Sequence, residues 1–345
     1  MAQAVTLPDS RTPGQVGVGR RTAEAILRPL LGGLLLLLAL IGLIGTAIKS
    51  PQPHDIQVGL VGPAPAVQQI SRGFESKAPG AFRFTSYGSV DAARAAIDSR
   101  SVDGVLVLGT GGPRLIVAGA AGDGVTGVIT GALTNTFRAQ GQAVSVETVH
   151  PFASGDAHGL ILFFVVLAVV ISTLVAQALV GLRSDTGFRA RLIALVVYAS
   201  FSPLVGMGTA AWIAGGYGSG FWTAAGLVGL ASAAIGAVVA GSARLLGTVG
   251  VGLAALVVVL LDLVASGGPI GSQLLPDFYR WLAPGMPAGQ LYSAARGALY
   301  YDNAALGIPI GVLSAWLAGG LVLMVLGELV ARRSRARASR LVSAP

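Results

Sequence analysis

Six stretches of this chain are apolar for long enough to cross a bilayer, given about 1.5 Å of rise per helical residue and roughly 20 residues per crossing. They cover residues 29–48, 159–182, 192–214, 221–241, 245–265 and 306–330. The connections at 183–191, 215–220 and 242–244 are short. Between the first and second stretches the pattern changes. Across 49–158 charges recur and apolar residues come in brief bursts. These read as strands at 56–62, 82–87, 104–108, 114–118 and 144–149, with helices at 65–76, 90–98 and 125–140. Ser89 stands where an N-cap belongs, just ahead of the second of these helices. The GTGGP run at 109–113 joins two strands and opens no helix, so it reads as a turn and not as a phosphate cradle. The pattern predicts an α-helical polytopic membrane protein with six transmembrane helices and an extracytoplasmic α/β domain inserted between helices 1 and 2.

Charge sets the expected orientation, because cytoplasmic loops carry an excess of arginine and lysine. With the N-terminus inside, Arg11, Arg20, Arg21, Arg28, Arg183, Arg189, Arg191, Arg244, Arg332, Arg333, Arg335, Arg337 and Arg340 are all cytoplasmic. The short outer segments then hold only Arg280 and Arg296, and the domain at 49–158 is neutral, with eight basic and eight acidic residues. The N-terminal segment 1–28 and the tail 331–345 are both basic and both cytoplasmic on this reading. A bacterial cell membrane with anionic lipid at its inner leaflet explains the net charge of +8 without nucleic acid. RRTAEAILR at 20–28 reads as an amphipathic helix on the inner surface. Arg20 and Arg21 also suggest a twin-arginine signal. The long apolar run and the missing small-x-small site favour an uncleaved first span. Charged residues are only 11% of the chain, which is membrane-like, and there is no cysteine for disulfide, zinc–thiolate or thiol chemistry.

The segment 266–305 between the last two spans is not an ordinary loop. It contains Pro269, Pro276, Pro284 and Pro287, the aromatic cluster Phe278, Tyr279 and Trp281, and then a run ending in Arg296, Tyr300 and Tyr301. Tyr and Trp suit a membrane interface, and the prolines punctuate any helix. Short interfacial helices are expected here, lying along the outer face or dipping in as a re-entrant hairpin enclosed by protein. The order of an apolar helix, SGG, LLPDFYRWLAPGMPAGQLYSAAR and a last apolar helix resembles the end of the membrane subunit (permease) of type 2 ABC exporters. It looks closest to the branch related to the Pip (phage infection protein) family. The residues that carry the resemblance are Gly267, Gly268, Pro276, Phe278, Pro284, Pro287 and Arg296. VDAARAAIDSRSVDGVLVL in the outer domain is similar to an element of that branch, whereas the second and third spans match no motif and the domain lacks the long coiled segments of longer members.

The resemblance implies an exporter permease that works as a homodimer, or as a heterodimer with a second permease, and moves an amphipathic or lipid-like substrate outward. A separate P-loop ATPase subunit would supply the energy. It implies that the loop 183–191 forms a short helix docking on that ATPase through Arg183, Asp185, Arg189 and Arg191. Without the resemblance, the same charges read equally as a positive-inside anchor. No G-x-x-x-x-G-K-[ST] run occurs; the only lysines, Lys49 and Lys77, do not follow glycine, so ATP and its hydrolysis are expected of the partner. The alternative is a Pip-like scaffold, surface receptor or secretion accessory whose outer domain binds a ligand with no transport.

Other candidates carry plainer readings. Ala225, Gly229, Ala233, Ala237 and Gly241 place small residues at every fourth position of the fourth span, with Ser232, Gly236 and Ala240 beside them. Such a face lets helices approach closely, in the same chain or in a second copy. Asp262 and Glu328 lie near span ends and read as interfacial residues rather than a proton relay. His54, His150 and His158, with Asp55 and Asp156 nearby, would make a metal site only if the domain's two ends meet; ordinary juxtamembrane histidines are the plainer reading. No catalytic constellation stands out, and no cofactor or metal is expected in this chain.

Overall fold

A computed structural model describes residues 15–183 and 185–342. Residues 1–14, Ser184 and 343–345 lie outside the described residues, as do the side chains of Arg20, Arg21, Arg28, Arg335, Arg337 and Arg340. The chain is mostly helical and divides into two compact units, 1–46 and 47–345. Among the described residues the first is formed by helix α1 (Gln15–Ile48), whose last two residues fall in the second unit and in which Ala25–Ile48 is long and apolar enough to cross a membrane. The expected surface helix at 20–28 is not separate: it runs on into the apolar stretch as one helix.

The second unit begins with the α/β domain. Strand β1 (Ile56–Val61) is followed by α2 (Ala64–Lys77), β2 (Phe82–Tyr87), α3 (Val90–Asp98), β3 (Gly104–Gly109), β4 (Gly112–Ala118), α4 (Asp123–Arg138) and β5 (Ser145–Val149). The sheet order is β2-β1-β3-β4-β5; β3 and β4 pair antiparallel and the other neighbours pair parallel. The two-residue turn between β3 and β4 is the GTGGP element expected as a turn. Ser89 caps α3, its hydroxyl accepting the Ala92 N–H at 3.1 Å. Alternation along the strands fills two cores. Val58, Leu60, Leu106, Leu115 and Val117 face Val125, Ile129, Leu133 and Phe137 of α4 together with Val67 of α2. Val105, Ile116 and Ala118 face Ala93, Ala96 and Ile97 of α3.

Five more helices are long and apolar enough to cross a membrane. They are α5 (Leu160–Gly181), α6 (Phe188–Ala214), α7 (Phe221–Leu246), the continuous run Thr248–Ala265, and the apolar part of α12 (Gly307–Val342). The fourth of these is built from α8 (Thr248–Ala255), a π-helical stretch Leu256–Leu261 and α9 (Asp262–Ala265). Before α12 come two short helices, α10 (Asp277–Leu282) and α11 (Pro287–Tyr300).

Helix α7 is the axis of the bundle, with 72% of its most apolar window buried against 39% for α5. Its small residues explain why. A β-carbon at Gly241 would lie 2.6 Å from Cβ of Leu323 on α12, and one at Gly229 would lie 3.0 Å from the Ala199 carbonyl on α6. Ala237 meets α12 where Gly320 approaches it, and Ala225 is buried. Ala233, between them on the row, is only half-buried. The row Ala225–Gly229–Ala233–Ala237–Gly241 therefore finds packing partners within its own chain. The reversal after α7 comes later than the expected 242–244 link. It lies at Gly247, whose φ of +61° favours glycine.

This packing yields a test. Gly241→Leu overfills the α7–α12 contact and should cost about 1–3 kcal/mol, seen as a lower thermal midpoint in detergent. Gly226→Leu, on an exposed face of α7 where a β-carbon meets nothing within 4 Å, should leave the midpoint unchanged.

Candidate functional site

The proline-rich segment folds against both the bundle and the domain. It starts with a tight turn in which Gly267 and Gly268 have φ of +69° and +47°, and a β-carbon on Gly268 would press on the Phe163 ring at 2.8 Å. Pro276 precedes α10 as its cap residue, Pro284 lies in the 3-10 turn that follows, and Pro287 opens α11, where its missing N–H costs nothing. Phe278 and Trp281 are exposed, whereas Tyr279 is buried. Helix α11 is sunk into the end of the bundle between α5, α7 and α12, with Leu291, Tyr292, Ala294 and Ala295 at 2% exposure or less.

Asp262 holds α11 in place. It lies near the end of its span and is fully buried within the protein. Its carboxylate accepts the N–H groups of Ala288 at 2.7 Å and Gly289 at 3.3 Å, in the first turn of α11. Met286, the residue at the cap position, makes no side-chain cap. A carboxylate from another helix thus does the N-cap's work, favoured also by the helix dipole. Asp156 plays the same part for α5, accepting from Ile161 and Leu162.

So placed, α11 closes a pocket of about 390 Å³ against the α/β domain. The domain contributes Gln57, Arg100, Asp103 and Ala121; the segment contributes Ser272, Arg280, Pro284, Gln290, Ser293 and Arg296. Arg100, just past the end of α3, has a left-handed φ of +59°. Its guanidinium donates to the Ser293 carbonyl at 2.9 Å and hydroxyl at 3.1 Å, and lies 5.3 Å from the Tyr301 ring centre. Arg296 donates to the carbonyls of Ala120 and Ala121 at 3.2 and 2.6 Å and covers the Tyr292 ring at 4.8 Å. Arg280 pairs with Asp55 and Asp277. Burial, with repulsion from Arg296 added, lowers the Arg100 pKa to about 10, and burial pushes the Asp103 carboxyl upward. Burial also raises Tyr301 to about 12.

The other expected residues scatter. Arg183 and Asp185 pair in the α5–α6 turn with 63% of each side chain exposed, and Arg189 is exposed in the first turn of α6. Among the described residues this turn contains no docking helix. Arg191 departs from its expected role. It is 2% exposed, donates to the Arg183 carbonyl at 2.9 Å, and lies 3.9 Å from Glu328. Glu328 also faces Arg244 at 3.5 Å and Arg332 at 3.1 Å, which ties α6, α7 and α12 together. The three histidines do not meet. His150 binds Asp98 and the Tyr300 carbonyl, His158 binds Asp123, and His54 is 3.9 Å from Asp277; no metal-holding group occurs among the described residues. The sequence reading missed Arg100 and Asp103, because the contact from Arg100 to Ser293 spans 193 positions and carries no local signal. The chain matches no protein-family model, and no curated protein or solved structure is significantly similar to it.

Two outcomes are expected. Asp262→Ala leaves buried donors unsatisfied and should cost about 2 kcal/mol or more, whereas Asp262→Asn keeps an acceptor and should cost less, read as thermal midpoints in detergent. Asp55 is held below the usual carboxylate value, first by the hydrogen bond from Arg83 and then by the charges of Arg83 and Arg280 against the effect of burial. A depressed folded-state pKa stabilises above the unfolded value, about 3.9, and the contribution is lost as pH falls through the folded value. Protection of the α10 amides, which Arg280 ties to Asp55, measured against the unfolded-chain exchange rate at each pH, should therefore fall only below about pH 4.

Proposed function

We propose that this chain is the membrane-spanning subunit of an ABC-type exporter, related to the type 2 permeases of the Pip branch, which it resembles over 266–296. On this reading it sits in a bacterial cell membrane with both termini cytoplasmic and the domain at 49–158 outside. It pairs with a second copy or a second permease. A separate P-loop ATPase drives outward movement of an amphipathic or lipid-like substrate. Arg183, Arg189, Arg191, Arg244, Arg332 and Arg333 gather at the bundle end away from the α/β domain, which supports the orientation.

The observation that carries the reading is the build of that end. The Arg183–Asp185 pair and Arg189 stand in the open, where a partner can grip them. Behind them Arg191 links the turn to Glu328, and Glu328 links to Arg244. Force applied at the turn is therefore shared at once by α6, α7 and α12. A bare positive-inside anchor needs charge but no such buried linkage. The docking surface is therefore Arg183, Asp185 and Arg189, with Arg191 as the element that passes movement inward.

The receptor or accessory reading is favoured by a different observation: the arginine-lined pocket lies between the α/β domain and α11 rather than among the long helices.

Purification of the tagged protein in nanodiscs from its native host, with mass spectrometry of what accompanies it, separates the two. A stoichiometric P-loop ATPase is expected. It should be lost from the triple variant Arg183→Ala, Asp185→Ala, Arg189→Ala with the thermal midpoint unchanged. If a dimer is retained and no ATPase comes with it, the exporter reading fails.

A further inference from the structure

The pocket between the α/β domain and α11 holds more positive charge than its surroundings neutralise. Arg280 is matched, with Asp55 and Asp277 at 3.0 and 2.9 Å. Arg100 and Arg296 are not: among the described residues neither has a carboxylate in ion-pair contact, and their hydrogen bonds all go to uncharged oxygens. Arg296 keeps a buried Nε with no hydrogen-bond partner. Asp103 is the only acid on the pocket wall among the described residues, one carboxyl facing two guanidiniums, and burial raises its pKa against the pull of Arg296 and Arg100. Both guanidiniums line the one cavity, and the charge of Arg296 adds to burial in lowering the Arg100 pKa. Arg100 is held there in a backbone conformation that non-glycine residues seldom adopt, as happens where a site fixes a side chain.

Two like charges left together under burial are costly unless an anion joins them. Guanidinium forks match the oxygens of carboxylates and phosphates. A phosphate has oxygens enough to take N–H groups from both guanidiniums, and the Ser272 hydroxyl lines the same cavity. The cavity, about 390 Å³, has room for the group and part of what it is attached to. We propose that Arg100 and Arg296 form an anion site that takes the phosphate group of a phosphate ester between the α/β domain and the proline-rich helices. A lipid headgroup and a free phosphate compound share this chemistry. The exposed Phe278 and Trp281 on neighbouring α10 are residues suited to headgroup depth. The site stands apart from the transport reading, since an exporter and a receptor can both use it.

The test uses the full-length protein in an uncharged detergent, titrated calorimetrically with inorganic phosphate. In a second arm, the protein is melted in phosphatidylcholine nanodiscs with and without phosphatidic acid. Saturable phosphate binding supports the site and a free ligand. Stabilisation by phosphatidic acid alone supports the site and a lipid headgroup. Arg100→Gln and Arg296→Gln should each weaken binding about 10- to 100-fold. Because these arginines also hold the domain to α11, Ser272→Asp is the independent variant. It adds a carboxylate to the pocket and removes neither arginine, so it should abolish binding and raise the basal midpoint. Arg138→Gln, exposed on α4 and outside the pocket, should bind as the wild type does. If neither arm shows binding, or if binding is indifferent to all three pocket variants, the proposal is overturned.

Discussion

A buried carboxylate at the start of a helix is the constraint on which the upper part of this molecule depends. Asp262 reaches the N–H groups of Ala288 and Gly289 and sets both the position and the pitch of α11. From that one helix follow the seating of Tyr292 against Phe163, the reach of Ser293 to Arg100, and the placement of Arg296 beneath Ala120 and Ala121. A charge enclosed without compensation would be expensive. Here the compensation comes from backbone dipoles that would otherwise be unmet, so burial and order reinforce each other.

The opposite end of the bundle solves a different problem. Arginines there outnumber acids, and Glu328 is shared among Arg191, Arg244 and Arg332. Ion pairs of long side chains at an open surface contribute little, but Arg191 and Glu328 have side chains only 3% and 13% exposed, so their loss would leave charge without a partner. Between the two ends α7 runs as a smooth rod, made narrow by its glycines and alanines. The two ends are thus joined by close contact of helix backbones more than by polar bonds.

Much of this architecture was legible in the chain. The long apolar runs and the period-2 bursts gave every α-helix and strand of the domain to within a few residues, though not the 3-10 turn at Gly119–Ala121, and the Ser89 cap and the 109–113 turn were readable because their chemistry is local. The proline-rich segment stood out by its composition, and it is where Pro284 and Arg296 meet the pocket. The pocket's other half was not legible. Arg100 and Asp103 lie in an unremarkable α/β stretch, and only the tertiary fold brings them beside residues nearly two hundred positions away. Arg191 was misjudged for a related reason: proximity to Arg183 and Arg189 in sequence says nothing of which face of α6 it occupies. For Asp262 the chain shows its place near the end of a span but not what surrounds it, because sequence carries depth along a helix and nothing of its neighbours.

The π-helical stretch Leu256–Leu261 immediately precedes Asp262. Each α-helical residue advances the azimuth by about 100°, and a wide turn absorbs one residue more than a regular turn would. The phase of everything after it is therefore set by the number of residues in the stretch, and hardly by which ones they are. Val257 and Val259, which are only partly buried, can drift among aliphatic types at little cost. A deletion of one residue among them would swing the carboxylate away from α11 even though every other side chain in the sequence was preserved. This part of the chain is tolerant of spelling and intolerant of length.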